Sequence, residues 1–182
     1  MNIFALDDDP VDAAEALNDN HANKMTTEMG QLLSTHVRIL FPEEVVGDAW
    51  CGLPVWRATH PHHPCRAWLG LSPGNVAWAV DHFRAQLAQW LAWKGRTHGA
   101  SVIRPAADLL VSRLGRAPRT PFALGMDSPV KGAGLDPVSV YRLYYASAKR
   151  HLGVWRRSAE PAWWRSACAE VDRMGIPVPG SR

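Results

Sequence analysis

Five polar side chains recur at helical spacing between positions 21 and 35. His21, Lys24, Glu28, Gln31 and Thr35 are separated by 3, 4, 3 and 4 positions. In an α-helix this spacing places all five on one face, beside the apolar face. An imidazole, an ammonium, a carboxylate and a carboxamide on successive turns can supply a base, an anion clamp and orienting hydrogen bonds. The alternative is a solvated face on which Lys24 and Glu28 form an ordinary i,i+4 ion pair.

Histidine and cysteine are concentrated in the segment 59–65, THPHHPC, with Cys51 upstream. This density suggests zinc, but the spacing fits none of the usual paired-ligand patterns, so we assign no metal ligands. We expect a rigid loop that holds His60 and His63 toward the polar stripe, where they act as proton carriers or as hydrogen-bond donors to phosphate. The alternative is that these histidines cap helices or bond backbone carbonyls.

Cations alternate with aromatic residues in the segment 141–165. This combination suits phosphate contacts together with stacking of unpaired or extruded bases. The alternative is that simple packing in the core explains many of the aromatic residues. The predicted DNA-binding residues are Arg142, Tyr145, Lys149, Arg150, Trp155, Arg156, Arg157, Trp163 and Arg165.

Acidic and basic residues are separated along the chain. Of the 20 basic and 17 acidic residues, positions 1–50 contain two and ten, which leaves 18 basic and 7 acidic residues in positions 51–182. Such a basic remainder favours a polyanion such as DNA, through phosphate neutralisation and counterion release. The alternative is a basic surface that serves only solubility.

Apolar periodicity, capping residues and helix breakers predict a mainly α-helical fold of about five or six helices. We expect one compact domain, 1–182, with an acidic catalytic part at 1–75 and a basic, DNA-contacting helical part at 76–182. The apolar run 1–6 predicts a buried extended segment or a short N-terminal strand, and 41–74 predicts a long connection. The predicted helices are approximately 11–17, 20–40, 75–94, 105–115, 137–151 and 161–175.

Several classes of protein lack their signatures in this chain. It contains no GxxxxGK[ST] phosphate loop and no GxGxxG, which argues against a nucleotide hydrolase or a dinucleotide-dependent enzyme. No stretch approaches the roughly 18 apolar residues of a membrane span, and acids stand where a signal peptide has its basic start. The scattered Cys51, Cys65 and Cys168 are expected to be reduced thiols. We therefore expect a cytoplasmic protein without a membrane partner.

Four segments near the start resemble phage-encoded enzymes of thymine hypermodification. They are MNIFALDDDPVDAAEAL, DNHANKM, EMGQLLST and THPHHPCRAW, while the later DPVSVYRLYY and PAWW fit more loosely. Together they resemble the amino acid:DNA transferases, also described as α-glutamyl/putrescinyl-thymine pyrophosphorylases. Proteins of this appearance are sometimes described as pyrimidine-dimer glycosylases instead. The family motif has Asp, Lys, His where this chain has Asp19, Asn20 and His21, so Lys24 is the better candidate here for a phosphate contact.

The resemblance implies a transferase that acts on 5-hydroxymethyluracil in DNA, already activated as its pyrophosphate. The amine of a free amino acid would displace the pyrophosphate. Such a step needs cations or a metal at the leaving group and a base for the incoming ammonium. No cofactor is firmly implied, although Asp7 and Asp19 could hold Mg²⁺.

The implied chemistry assigns a role to each candidate. Lys24 would bind the leaving pyrophosphate together with His60 or His63. Glu28 or His21 would deprotonate the amine, which Asp7 and Asp19 would orient. The predicted catalytic residues are thus Asp19, His21, Lys24, Glu28, His60 and His63, and the predicted substrate-binding residues are Asp7, Gln31, Thr35 and Asn75.

Two other functions remain open from the sequence. One is a DNA glycosylase or lyase on a damaged or modified pyrimidine, with Lys24 as the amine nucleophile and Glu28 as the assisting acid. Both enzymes would need the target base extruded or unpaired. The other is a phage protein without enzymatic activity that binds DNA or a host protein, in which the acidic first fifty residues form the partner surface.

Overall fold

The computed structural model describes residues 1–132 and 134–179. All six predicted helices are present, and a further one lies within the expected long connection, so a mainly α fold is confirmed. In the described residues the α-helices are α1 (Pro10–Glu15), α2 (Asp19–Leu40), α3 (Pro64–Leu69), α4 (Pro73–Lys94), α5 (Arg104–Leu114), α6 (Pro137–Ala148) and α7 (Trp164–Arg173).

Capping side chains determine where the helices begin. Asp9 accepts a hydrogen bond from the Val11 N–H at the start of α1, and Asn18 accepts one from the His21 N–H at the start of α2. Each cap satisfies a backbone N–H that has no partner within its own helix. At the C-terminal end of α4, Gly95 adopts a φ of 65°, the left-handed conformation that terminates helices.

Two expectations about the first 75 residues are corrected. Residues 1–6 are largely buried but form no strand, and Phe4 has a φ of 41°, which interrupts an extended backbone. The strands lie instead in the expected long connection, as a small antiparallel sheet in chain order. They are β1 (Val45–Val46), β2 (Ala49–Trp50) and β3 (Leu53–Pro54).

The two 22-residue helices α2 and α4 pack against each other at the centre of the molecule. α1 and α5 pack on α4, and α7 packs on α6. The apolar faces meet in one connected core to which every described α-helix contributes. Trp50, Trp68, Tyr141 and Tyr145 are among its fully buried side chains, and large aromatic side chains of this kind contribute most to the burial of apolar surface.

None of the helices in the described ranges is long and apolar enough to cross a membrane.

Ion pairs join the acidic beginning of the chain to its basic remainder. Asp7 Oδ2 lies 2.7 Å from Arg142 Nη2, and Glu44 Oε2 lies 2.6 Å from Arg113 Nη1. Arg119 makes a similar pair with an aspartate that precedes α1. The charge separation seen in the sequence is therefore partly neutralised inside the fold, and only cations without such partners remain available to an external polyanion.

Asn75, predicted to bind substrate, instead joins α4 to the segment that follows α5. Its Nδ2 donates to the Trp68 carbonyl at 2.6 Å and to Thr120 Oγ1 at 2.8 Å, and its Oδ1 accepts from the Thr120 N–H at 2.8 Å. The side chain is fully buried. This placement corrects the predicted role, because all three bonds are internal.

Replacement of Asn75 by alanine should lower the free energy of unfolding by about 2–4 kcal/mol, since it leaves several buried polar groups without partners. Urea unfolding monitored by tryptophan fluorescence measures the change. Asn20→Ala, at an exposed position of α2, is the matched control and should leave stability within about 0.5 kcal/mol. Equal stability of the two variants would contradict the assigned role.

Candidate functional site

Glu28 is the centre of a polar cluster formed by α2 and the N-terminal segment. Its Oε1 lies 3.6 Å from Lys24 Nζ, and its Oε2 accepts a hydrogen bond from the Asn2 N–H at 2.8 Å. The Met1 amino group lies 3.7 Å from Oε2. The side chain of Lys24 is 68% exposed, whereas that of Glu28 is 13% exposed. The simple i,i+4 ion pair is thus present, but its carboxylate is largely enclosed.

His63 lies near enough to this cluster to be affected by its charges. Burial is the main cause that lowers the pKa of His63, and the positive charge of the Met1 amino group adds to it. The Glu28 carboxylate acts in the opposite direction. His63 Nδ1 also accepts a hydrogen bond from the Cys65 N–H at 3.2 Å and caps α3. The helix-capping alternative is therefore confirmed for His63, whose neutral ring is assigned a proton on Nε2.

Thr35 holds the loop that carries these histidines. Its Oγ1 accepts a hydrogen bond from the Thr59 N–H at 3.0 Å and donates to the Gln31 carbonyl at 2.8 Å. Thr35 is fully buried, so it positions the loop and is not exposed to a substrate. His60, which follows, is exposed and has a φ of 51°, rare outside glycine. Gln31 is partly exposed on the stripe.

His21 lies beneath the N-terminal segment. Its ring stacks on that of Phe4, with centroids 4.9 Å apart, and only 5% of the residue is exposed. The Tyr145 hydroxyl accepts a hydrogen bond from the Asn18 N–H at 3.0 Å. Its own proton is therefore directed to His21 Nδ1, 2.7 Å away, which assigns the neutral tautomer with a proton on Nε2.

The surroundings of His21 keep it neutral. Burial is the main cause, followed by the positive charges of Lys149 and Lys24, and together they lower its pKa to about 4. Nδ1 is already occupied and the pKa is low, so the ring is a poor general base. Of the two predicted bases, Glu28 is the one the geometry favours. Lys149 and Lys24 also create a positive field here, which the sequence did not indicate because Lys149 lies on another element.

Asp7 and Asp19 are both engaged within the protein. Asp7 accepts a hydrogen bond from Arg142 Nη2 at 2.7 Å. Asp19 accepts hydrogen bonds from the backbone N–H groups of Arg156, at 3.1 Å, and Arg157, at 3.4 Å. Both carboxylates thus hold the C-terminal part of the chain against its beginning, which replaces the predicted role of Asp19 in catalysis.

Among residues 1–132 and 134–179, no group of three His, Cys, Asp or Glu side chains is placed to hold a metal ion. We therefore assign no residue to Mg²⁺ or zinc.

Of the three aromatic residues predicted to stack on DNA bases, one lies in the core and two are half-buried against it. Tyr145 is fully buried. Trp155 donates its Nε1–H to the Ala16 carbonyl at 3.1 Å, and Trp163 is half-buried, 5.4 Å from the Arg142 guanidinium. The packing alternative holds for Tyr145 and Trp155, and burial leaves Tyr145 no free face for a base.

Arginines of the same segment mostly have partners inside the protein. Arg150 donates to Asp172 at 2.8 Å and so links α6 to α7. Arg157 donates to carbonyl oxygens in and just after α1, and its burial lowers its pKa. Arg165 pairs with Glu160 at 2.8 Å. Within the described structure, the cations of the predicted set whose side chains have no carboxylate partner and no backbone carbonyl partner are Lys149 and Arg156.

Five clefts are described on the surface, and one of them is lined by residues of α2. One of about 480 Å³ is lined by Asp7, Arg142 and Trp163, among others. Another of about 430 Å³ includes Asn23 and Thr27 of α2. None of the five described clefts is lined by the residues predicted for catalysis, which are Asp19, His21, Lys24, Glu28, His60 and His63. The cluster around Glu28 thus lies outside the described clefts, with Lys24 at the surface.

Comparison of this chain with family models, with curated proteins and with solved structures finds no match. The function must therefore be argued from the geometry of the site itself.

The buried histidines should make the protein sensitive to acid. The pKa of His21 is about 4 in the folded protein against 6.5 for an ordinary histidine, so the unfolded chain takes up the proton first as the pH falls. Stability is fully present above about pH 6.5 and is lost toward pH 4. His21 alone should account for a loss of about 2 kcal/mol between pH 7 and pH 5.

Urea unfolding of the wild type and of His21→Asn at pH 7 and pH 5 tests this. The variant should lose about 2 kcal/mol less than the wild type over this interval, whatever its stability at pH 7. His62→Asn, at an exposed position of the same residue type, should keep the wild-type pH dependence. An identical pH dependence of the wild type and His21→Asn would show that His21 is not held neutral.

Proposed function

We propose that this protein is a DNA base-modification enzyme that transfers the amine of an amino acid onto pyrophosphate-activated 5-hydroxymethyluracil. The observation that carries the proposal is the cluster around Glu28, in which an enclosed carboxylate lies 3.6 Å from the exposed ammonium of Lys24. A base for the incoming amine and a cation for the leaving group are thereby adjacent, as this reaction requires.

The proposed step is a displacement at the methylene carbon on C5 of the base. The amine nitrogen forms a bond to this carbon, and the bond from the carbon to the pyrophosphate oxygen breaks. Pyrophosphate leaves with the bonding electron pair, and the amine loses a proton to Glu28. Lys24 neutralises the charge that develops on the leaving oxygens, which is where preorganised cations lower a barrier most.

Other side chains have supporting roles in this scheme. His60 is exposed on the loop that also carries His63, and His63 Nε2–H is a neutral donor, so both suit contacts to pyrophosphate. Lys149 adds positive charge on the His21 side. Asp7 and Asp19 orient elements of the protein, since their carboxylates are bound internally. The target base would have to be extruded or unpaired to reach the cluster.

Mass spectrometry of nucleosides is the direct test. DNA that contains pyrophosphorylated hydroxymethyluracil is incubated with the full chain and a pool of amino acids, then digested. From the wild type we expect a thymidine derivative that carries the amino acid, linked through its nitrogen, on the methylene carbon at C5. Glu28→Gln, which retains one acceptor oxygen for the Asn2 N–H, and Lys24→Ala should each reduce its formation at least about 100-fold, as loss of a general base or of a charge-stabilising group does.

Matched substitutions elsewhere control for the loss of one charge. Glu43→Gln and Lys131→Ala change exposed side chains outside the cluster and should keep wild-type activity. Circular dichroism establishes that each variant is folded. Full transfer activity in both Glu28→Gln and Lys24→Ala would rule out the proposed roles.

A glycosylase or lyase is the second candidate, because a primary amine next to an enclosed carboxylate also suits that chemistry. Lys24 Nζ would attack C1′ of the nucleotide, the base would leave with a proton from Glu28, and a Schiff base would form. The same incubation then gives an abasic site, and borohydride traps the enzyme covalently on DNA. Neither product would form if the protein only binds DNA or a host protein.

A further inference from the structure

A cleft of about 430 Å³ lies on the side of α2 next to the polar stripe. Its lining comes from three parts of the chain: Asn23 and Thr27 of α2, Trp56 after β3, and Trp90 with Arg96 from the end of α4 and beyond. The described lining contains tryptophan, amide, hydroxyl and guanidinium groups and no carboxylate. This composition suits a ligand that is flat, polar at its edge and negatively charged.

The two tryptophan rings of the cleft are held in place by packing. Both are half-buried, so each keeps part of its surface free. A side chain at Gly30 would bring its Cβ within 2.9 Å of the Trp56 ring, so glycine allows this ring to lie directly on α2. Trp90 meets His98 edge to face, with centroids 5.0 Å apart. Rings fixed in this way can stack a base with little loss of conformational entropy.

A hydrogen-bond relay orients the amide of Asn23. The Ala100 N–H can only donate, and it donates to His98 Nδ1 at 3.0 Å. The neutral His98 ring therefore carries its proton on Nε2, which faces Asn23 Oδ1 at 2.7 Å. With Oδ1 occupied, the Nδ2 group of Asn23 is the part of the amide left to donate, and in the described structure it has no protein acceptor.

The cations near the cleft form no ion pairs within the described structure. Arg96 is exposed and has no carboxylate partner among the described residues. Lys94 has none either, and its Nζ lies 3.4 Å from the centroid of the Trp93 ring, a cation–π contact that keeps it near the tryptophans. These cations differ from most arginines of the segment 141–165, which have partners inside the protein.

We propose that this cleft binds a nucleobase of single-stranded DNA adjacent to the target nucleotide. The base stacks on Trp56 or Trp90, Asn23 Nδ2 donates to a carbonyl oxygen at the base edge, and Arg96 contacts the neighbouring phosphate. The choice of DNA as the ligand rests on the proposed function. Asn23 and Lys24 are consecutive on α2, so a strand in the cleft passes directly beside the cluster around Glu28.

Binding of an unmodified fluorescein-labelled oligothymidylate, measured by fluorescence anisotropy at several salt concentrations, tests the inference without any turnover. Arg96→Glu should weaken binding at least about tenfold and reduce the slope of log Kd against log salt by about 0.7. Asn23→Asp, which is isosteric but cannot donate, should weaken binding about tenfold or more. Lys131→Glu reverses one exposed charge elsewhere and should bind within about twofold of the wild type.

Photo-crosslinking with the full wild-type chain locates the ligand independently of any variant. Oligonucleotides that contain 5-bromodeoxyuridine should crosslink to peptides with Trp56 or Trp90. Crosslinks confined to 141–165, or wild-type affinity in both Arg96→Glu and Asn23→Asp, would overturn the inference. Weakened binding in these variants with no transfer or abasic product from the wild type would leave the cleft assigned and reject the proposed function. Transfer product from the wild type, together with wild-type DNA affinity in both variants, would retain the enzyme and reject the cleft.

Discussion

Residues 2–6 are buried without forming a helix or a strand, and the rest of the structure depends on how their backbone polar groups are paired. A buried N–H or carbonyl without a partner costs about as much as a lost hydrogen bond, so this segment needs side chains from its neighbours. Glu28 of α2 accepts from the Asn2 N–H, and Arg142 of α6 donates to the Leu6 carbonyl at 2.8 Å. The segment thereby ties α2 to α6.

This pairing also explains why the candidate site lies where it does. Glu28 is enclosed because it reaches the N-terminal backbone, and the i,i+4 spacing of α2 places the exposed ammonium of Lys24 beside this enclosed carboxylate. His21 lies beneath Phe4 of the same segment and is kept neutral there. The hydrogen bond from the Asn2 N–H to Glu28 stabilises the N-terminal segment and also shapes the candidate site. Glu28 therefore has a structural role as well as the proposed chemical role.

Local patterns in the sequence predicted more of the fold than of the site. Helix periodicity and caps are properties of short segments, and all six helices that they predicted are present. The polar stripe correctly brought Lys24 next to Glu28 for the same reason. The prediction that Tyr145 contacts DNA was wrong, because Tyr145 is fully buried and composition does not reveal which aromatic face meets the core. The cleft of Asn23 and Trp56 was missed, because its parts are distant in sequence and only tertiary packing joins them.

The distribution of unpaired cations differs from the expected division into a catalytic part, 1–75, and a DNA-contacting part, 76–182. The basic remainder was expected to bind DNA as one block, yet many of its arginines are engaged by carboxylates inside the fold. Two of the cations left over lie beside α2, Lys149 near His21 and Arg96 at the cleft. Consecutive residues of a helix point about 100° apart on a cylinder roughly 10–12 Å across. A bound strand would therefore cross α2 itself, with phosphates held beside the helix that carries Glu28.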